Sequence, residues 1–115
     1  MMKKWALPAL ILLLLAGCSG KKAYNDGVFR GEAMGHSKDV PIEVEVSIVG
    51  GNMVAVEVVN HDESVEQVPQ VQEALDTLPG AMVKKNTTHI DSIAGATETS
   101  KGIGSAVEKA LERAK

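Results

Sequence analysis

An α+β fold, a small antiparallel sheet with a central hairpin packed against two or three helices, is predicted by three features of the chain. Ile42, Val44, Val46 and Ile48 alternate with Glu43, Glu45 and Ser47, the period-two pattern of a half-buried strand. Gly50-Gly51-Asn52 follows directly; these residues tolerate positive φ, so the chain turns back as a hairpin. Near the end, Ile103, Ala106, Val107, Ala110, Leu111 and Ala114 recur at helical spacing as one apolar stripe.

Taken in order, the first element is an address. Residues 1–17 hold 13 of the 51 hydrophobic residues and six of the nine leucines of the 115-residue chain. Lys3 and Lys4 precede an uncharged apolar run over residues 5–15, broken only by Pro8. A run of about 11 residues is too short to span ~30 Å of hydrocarbon, which needs about 20, and fits the hydrophobic region of a secretory signal peptide. It ends in Leu15-Ala16-Gly17-Cys18, and Cys18 is the single cysteine of the chain. This resembles a bacterial lipobox. The resemblance implies a signal peptide over 1–17, acylation of Cys18, and a short polar tether over 18–25. Two or three acyl chains supply stable anchoring, so the expected location is the extracytoplasmic face of a cell membrane or outer membrane.

The remaining residues read as one domain, 26–115. Residues 27–34 alternate loosely, with Val28, Gly31 and Ala33 set against Phe29 and Arg30, and read as a first strand. The hairpin follows, its return strand over 53–59 placing Val54, Val56 and Val58 on one face. Val68, Val71, Leu75 and Leu78 recur at helical spacing behind Pro69, which suits a first helical turn. Pro79-Gly80 is expected to stop or break that helix, with another helical turn over 81–85. Residues 90–93 read as a short strand, and residues 92–104 are dense in small side chains. A final helix runs from Ile103.

Composition excludes some functions. Without residues 1–17 the chain carries 10 basic and 15 acidic residues, net −5, and two aromatics, Tyr24 and Phe29. That is a poor electrostatic and stacking surface for nucleic acid. No Gly-x-Ser-x-Gly elbow supports a serine hydrolase. Glu43/Glu45 and Asp62/Glu63 read as strand and loop surface. His36, His61 and His89 are separated by 25 and 28 residues, which matches no local metal motif, so no metal is expected.

One segment stands out for chemistry. Asp91-Ser92-Ile93-Ala94-Gly95-Ala96-Thr97-Glu98-Thr99-Ser100 is rich in small residues and leads into a helix. Free N–H groups at a helix start form an anion seat. Gly95 and Ala96 lack the bulk to hold a phosphate away, and Thr97 adds a hydroxyl. Ordinary helix capping by Thr97 or Thr99 is the competing reading.

Residues 91–99 are similar to the flavinylation motif of the FMN-binding domain family, Asp-x-x-Ser/Thr-Gly-Ala-Thr/Ser-x-Ser/Thr. That family includes the covalent-FMN subunits of sodium-pumping quinone reductase and Rnf complexes. Asp26-Gly27-Val28-Phe29-Arg30-Gly31-Glu32-Ala33 resembles its opening strand. Residues 44–59 and the following His61-Asp62-Glu63-Ser64 resemble its hairpin and loop. The resemblance covers about residues 26–114. It implies Thr97 as the acceptor of FMN in a phosphoester, donated from FAD by an exported flavin transferase. It implies cofactor contacts from Asp91, Gly95, Ala96 and Thr99, and from Glu63 and Ser64 in the loop. Ala94 stands where the motif has Ser or Thr, which removes one hydroxyl.

The expected function is therefore a lipid-anchored, extracytoplasmic electron carrier. FMN supplies its redox chemistry, and membrane quinones or reductases are its partners. No set of residues resembles a substrate-transforming site. The alternatives are a noncovalent flavin-binding or flavin-trafficking lipoprotein and a lipoprotein that has lost its cofactor.

Overall fold

A computed structural model describes residues 24–115. The signal peptide expected over 1–17 and the acylated Cys18 lie outside the described residues. Three strands, β1 (Gly27–Ala33), β2 (Ile42–Val49) and β3 (Asn52–Asn60), are followed by two helices, α1 (Pro69–Lys85) and α2 (Thr97–Arg113). The sheet is antiparallel in the order β1-β2-β3. The α+β architecture with its central hairpin is thus as the sequence predicts.

β2 behaves as its alternation demands. Ile42, Val44, Val46 and Ile48 are fully or almost fully buried. They form one core with Val71, Ala74, Leu78 and Met82 of α1 and Ile103, Ala106, Val107 and Ala110 of α2. On the outer face, the Arg30 guanidinium reaches Glu45 at 2.7 Å across the β1–β2 pair.

The neighbouring strands correct two expectations. In β1, Phe29, Gly31 and Ala33 face the core side and Val28 is exposed, so Val28 does not share a face with Gly31. In β3, Val56 and Val58 oppose Val46 and Val44, but a register shift between Ser47 and Ile48 pairs Ile48 with Met53. This β-bulge gives one strand an extra residue, so Met53 takes the buried place and Val54 turns to solvent.

α2 crosses β1 so closely that Gly31 has no room for a side chain. A Cβ there would stand 1.9 Å from the Ala106 carbonyl oxygen. Asn25 N–H donates to the Ala114 carbonyl at 2.7 Å, tying the start of the domain to the end of α2.

Three further expectations are corrected. Pro79-Gly80 neither stops nor breaks α1, which is continuous from Pro69 to Lys85. Pro79 is itself buried, as are Leu78 and Met82, and that burial offsets the one backbone bond a proline removes. α1 ends instead at Asn86, in the left-handed conformation, whose Oδ1 accepts from Met53 N–H at 3.0 Å. Residues 90–93 are not a strand. Ile90 N–H bonds to the Thr88 carbonyl and Ile93 N–H to Ser100 Oγ, so these two amides are taken up by a turn and by α2 and not by a strand ladder. Finally, α2 starts at Thr97, six residues before Ile103. Its first turns bury Thr99, Ser100 and Gly102, which are not apolar enough to show in a hydrophobic pattern.

Candidate functional site

The start of α2 is held open by local backbone geometry. Gly95 has φ +89°, a conformation that costs any L side chain strain. A Cβ there would also press on the Gln70 side chain at 3.1 Å. The turn is closed by Ala96 N–H on the Ile93 carbonyl at 2.9 Å. The N-cap is Ala96 and makes no side-chain capping bond, so neither Thr97 nor Thr99 caps the helix. The first bond of the helix is Ser100 N–H to the Ala96 carbonyl at 2.9 Å, which leaves the amides of Thr97, Glu98 and Thr99 without a partner inside the helix. Thr97 is exposed at the first helical position.

This start borders a cavity of about 370 Å³ lined by His36, Ser64, Val68, Val71 and residues 95–99. That volume lies in the range of small-molecule sites, roughly 300–1,000 Å³. Three segments far apart in sequence form its walls: the β1–β2 loop, the β3–α1 segment and the start of α2. Across the mouth, His36 Nδ1 stands 3.6 Å from Glu98 Oε1 and Lys38 Nζ 3.9 Å from the same oxygen.

Behind the wall lies Glu63, 6% exposed. Its Oε1 accepts from His36 N–H at 2.9 Å and from the Thr99 hydroxyl at 2.6 Å. Its Oε2 accepts from Ser37 N–H at 3.1 Å. Burial alone raises this carboxyl. The Thr99 hydroxyl, the two amides and the nearby His36 outweigh it, holding the group below its ordinary range. Gly35 makes the approach possible, since a Cβ there would sit 2.8 Å from Glu63 Oε1.

Of the expected cofactor residues, Gly95, Ala96, Thr97, Thr99 and Ser64 come together around the cavity. Glu63 supports it from behind. Asp91 is exposed and does not line it. Sequence reading passed over Glu98, Val68 and Val71; the two valines appeared there as helix face only. Their role comes from the start of α1 meeting the start of α2, which no local pattern encodes. His61 accepts the Glu63 N–H at Nδ1, 3.1 Å away, and His89 is exposed elsewhere. Among the described residues no three His, Cys, Asp or Glu side chains converge to hold a metal ion.

The arrangement fits a flavin phosphate. Free amides at the helix start supply donors and a positive dipole end, Gly95 has no side chain to block approach, and a hydroxyl stands at the same place. The cavity beside it offers valine side chains and a polar rim.

Comparison with known proteins agrees. Over 88 residues the chain is 34% identical to an uncharacterized protein of Treponema pallidum (strain Nichols), a match covering 76% of this chain and 23% of that protein. The chain thus spans about a quarter of the length of the curated relative it matches. The family model of the FMN-binding domain matches residues 35–112. With that match embracing β2, β3, α1, α2 up to Glu112 and every wall of the cavity, the chain belongs to the FMN-binding domain family, and flavin binding is its family property.

Proposed function

We propose that this chain is an extracytoplasmic electron carrier holding FMN covalently through a phosphoester on Thr97, and anchored to the membrane by an acylated Cys18. The observation that carries the flavin part is the uncapped start of α2. There an exposed Thr97 hydroxyl, the free first-turn amides and the side-chain-free Gly95 face one cavity. When bound, FMN supplies the electron transfer. The chain supplies attachment and orientation. Esterification by a flavin transferase forms a bond from Thr97 Oγ1 to the phosphorus of FAD's flavin-side phosphate. It breaks the pyrophosphate bond, AMP leaves, and the hydroxyl proton passes to solvent or to a base of the transferase. Covalent attachment keeps a flavin from dilution outside the cell, and a lipid anchor holds it close to membrane quinones or reductases.

The test is coexpression of the full chain with an active flavin transferase, followed by denaturing electrophoresis and peptide mapping. Flavin fluorescence in the denatured band, mapped to the peptide holding Thr97, supports the reading. Yellow colour that leaves on denaturation supports a noncovalent flavin carrier instead. Label on Thr99 would move the acceptor by half a helical turn within the same cavity. For the anchor, fatty-acid label should enter the wild type and be absent from Cys18→Ser; label persisting in the variant removes it.

A further inference from the structure

The Glu63 side chain bonds both the β1–β2 loop and the start of α2 while sitting on the loop that leads to Ser64. Its two oxygens collect three donors: His36 N–H, Ser37 N–H and the Thr99 hydroxyl. His36 and Thr99 belong to opposite walls of the cavity, and Ser64, next in sequence, belongs to the third. The packing around it is tight. Gly35 stands against the carboxylate, and a Cβ on Gly102 of α2 would come within 2.8 Å of Gly35 Cα. The loop is thus threaded between Glu63 and α2 with no spare space.

We infer that Glu63 is the positioning residue of the flavin site: its buried carboxylate sets the spacing between the three walls, so that the site keeps its shape only while one acceptor group serves all three donors. This rests on the flavin reading. A carboxylate suits the task because it accepts at two oxygens and donates nothing. Glutamine is nearly isosteric but has one accepting oxygen, and its NH₂ must face an N–H donor or turn away. One of the amides or the hydroxyl then loses its partner, which is most costly for the buried Thr99 hydroxyl. Most of the apolar core of β2 and α2 lies outside this arrangement, so the variant is expected to keep its fold at a cost in stability, with the loss of shape falling on the cavity.

The test uses the full chain without transferase. Free FMN is titrated and followed by fluorescence quenching and by visible-region circular dichroism of the flavin, alongside amide exchange at His36 and Ser37. Glu63→Gln is expected to keep the wild-type far-ultraviolet spectrum, bind FMN about tenfold more weakly, show a diminished flavin dichroism, and exchange the two amides faster. Thr99→Val, which removes only the hydroxyl, should weaken binding in the same direction. The double variant should bind no worse than Glu63→Gln, because both changes break one arrangement. Unchanged FMN affinity and unchanged exchange in Glu63→Gln overturn the inference, as does strict additivity in the double variant. If the wild type binds no free FMN, the flavin reading is decided by the transferase labelling above, and the positioning role stands or falls on amide exchange alone. If Glu63→Gln does not fold, Thr99→Val decides: wild-type affinity and dichroism there overturn it.

Discussion

The Thr99 hydroxyl donates to Glu63 Oε1 at 2.6 Å, joining the first turn of α2 to a loop 36 residues earlier in the chain. Both residues are buried, so this bond is made in a low-dielectric setting where an unpaired partner is costly. It ties the start of α2 to the segment between β3 and α1.

That bond gives stability a pH dependence. The folded Glu63 carboxyl is held below its ordinary range, so its contribution is present above the unfolded value of about 4.3 and is lost as pH falls through the folded value. Denaturant unfolding of wild type and Glu63→Gln across pH should show a constant difference at neutral pH that shrinks in the acid region. A difference that stays level to the acid limit would contradict the assignment.

Thr97→Ala should abolish covalent flavin without harming the fold. Thr97 is exposed, is not the N-cap, and is replaced by the best helix former. The thermal midpoint should be unchanged or slightly raised while flavin fluorescence disappears from the denatured band. Gly95→Ala should reduce labelling by another route, since its φ of +89° costs a side chain roughly 1–2 kcal/mol.

Two glycines should respond in opposite ways to alanine. Gly31→Ala forces a methyl group into the Ala106 and Ala110 backbone and should destabilise by about 1–3 kcal/mol or more. Gly80 lies inside α1 with open space around its Cβ position. Gly80→Ala should stabilise by about 0.5–1 kcal/mol. Paired urea titrations check both.

The two faces of β2 should differ as sharply. Val44 is wholly buried, and Val44→Asp places a charge in the core at a cost of several kcal/mol. Glu45 lies on the outer face opposite Arg30, where an exposed ion pair is worth less than about 1 kcal/mol. Equal losses for Val44→Asp and Glu45→Gln would refute the face assignment.

The β2–β3 hairpin, the buried face of β2 and the stripe of α2 were legible in residue order because each depends on a local period. Val44 and Ile48 must face one way on any pleated strand, and Ile103, Ala106 and Ala110 one way on any helix. The turn at Gly95 and Ala96 that leads into Thr97 was legible for a related reason: it is a local turn followed by a helix start. What local periods do not carry was decided by packing. The bulge that sends Val54 outward, the passage of α1 through Pro79, and the approach of Gly31 to α2 each balance a local preference against burial gained far along the chain. The same holds for Glu63. Its sequence neighbours His61, Asp62 and Ser64 mark only a polar loop; the fold brings His36, Ser37 and Thr99 to its oxygens, and hydrogen bonds depend on distance in space, which residue order alone does not contain.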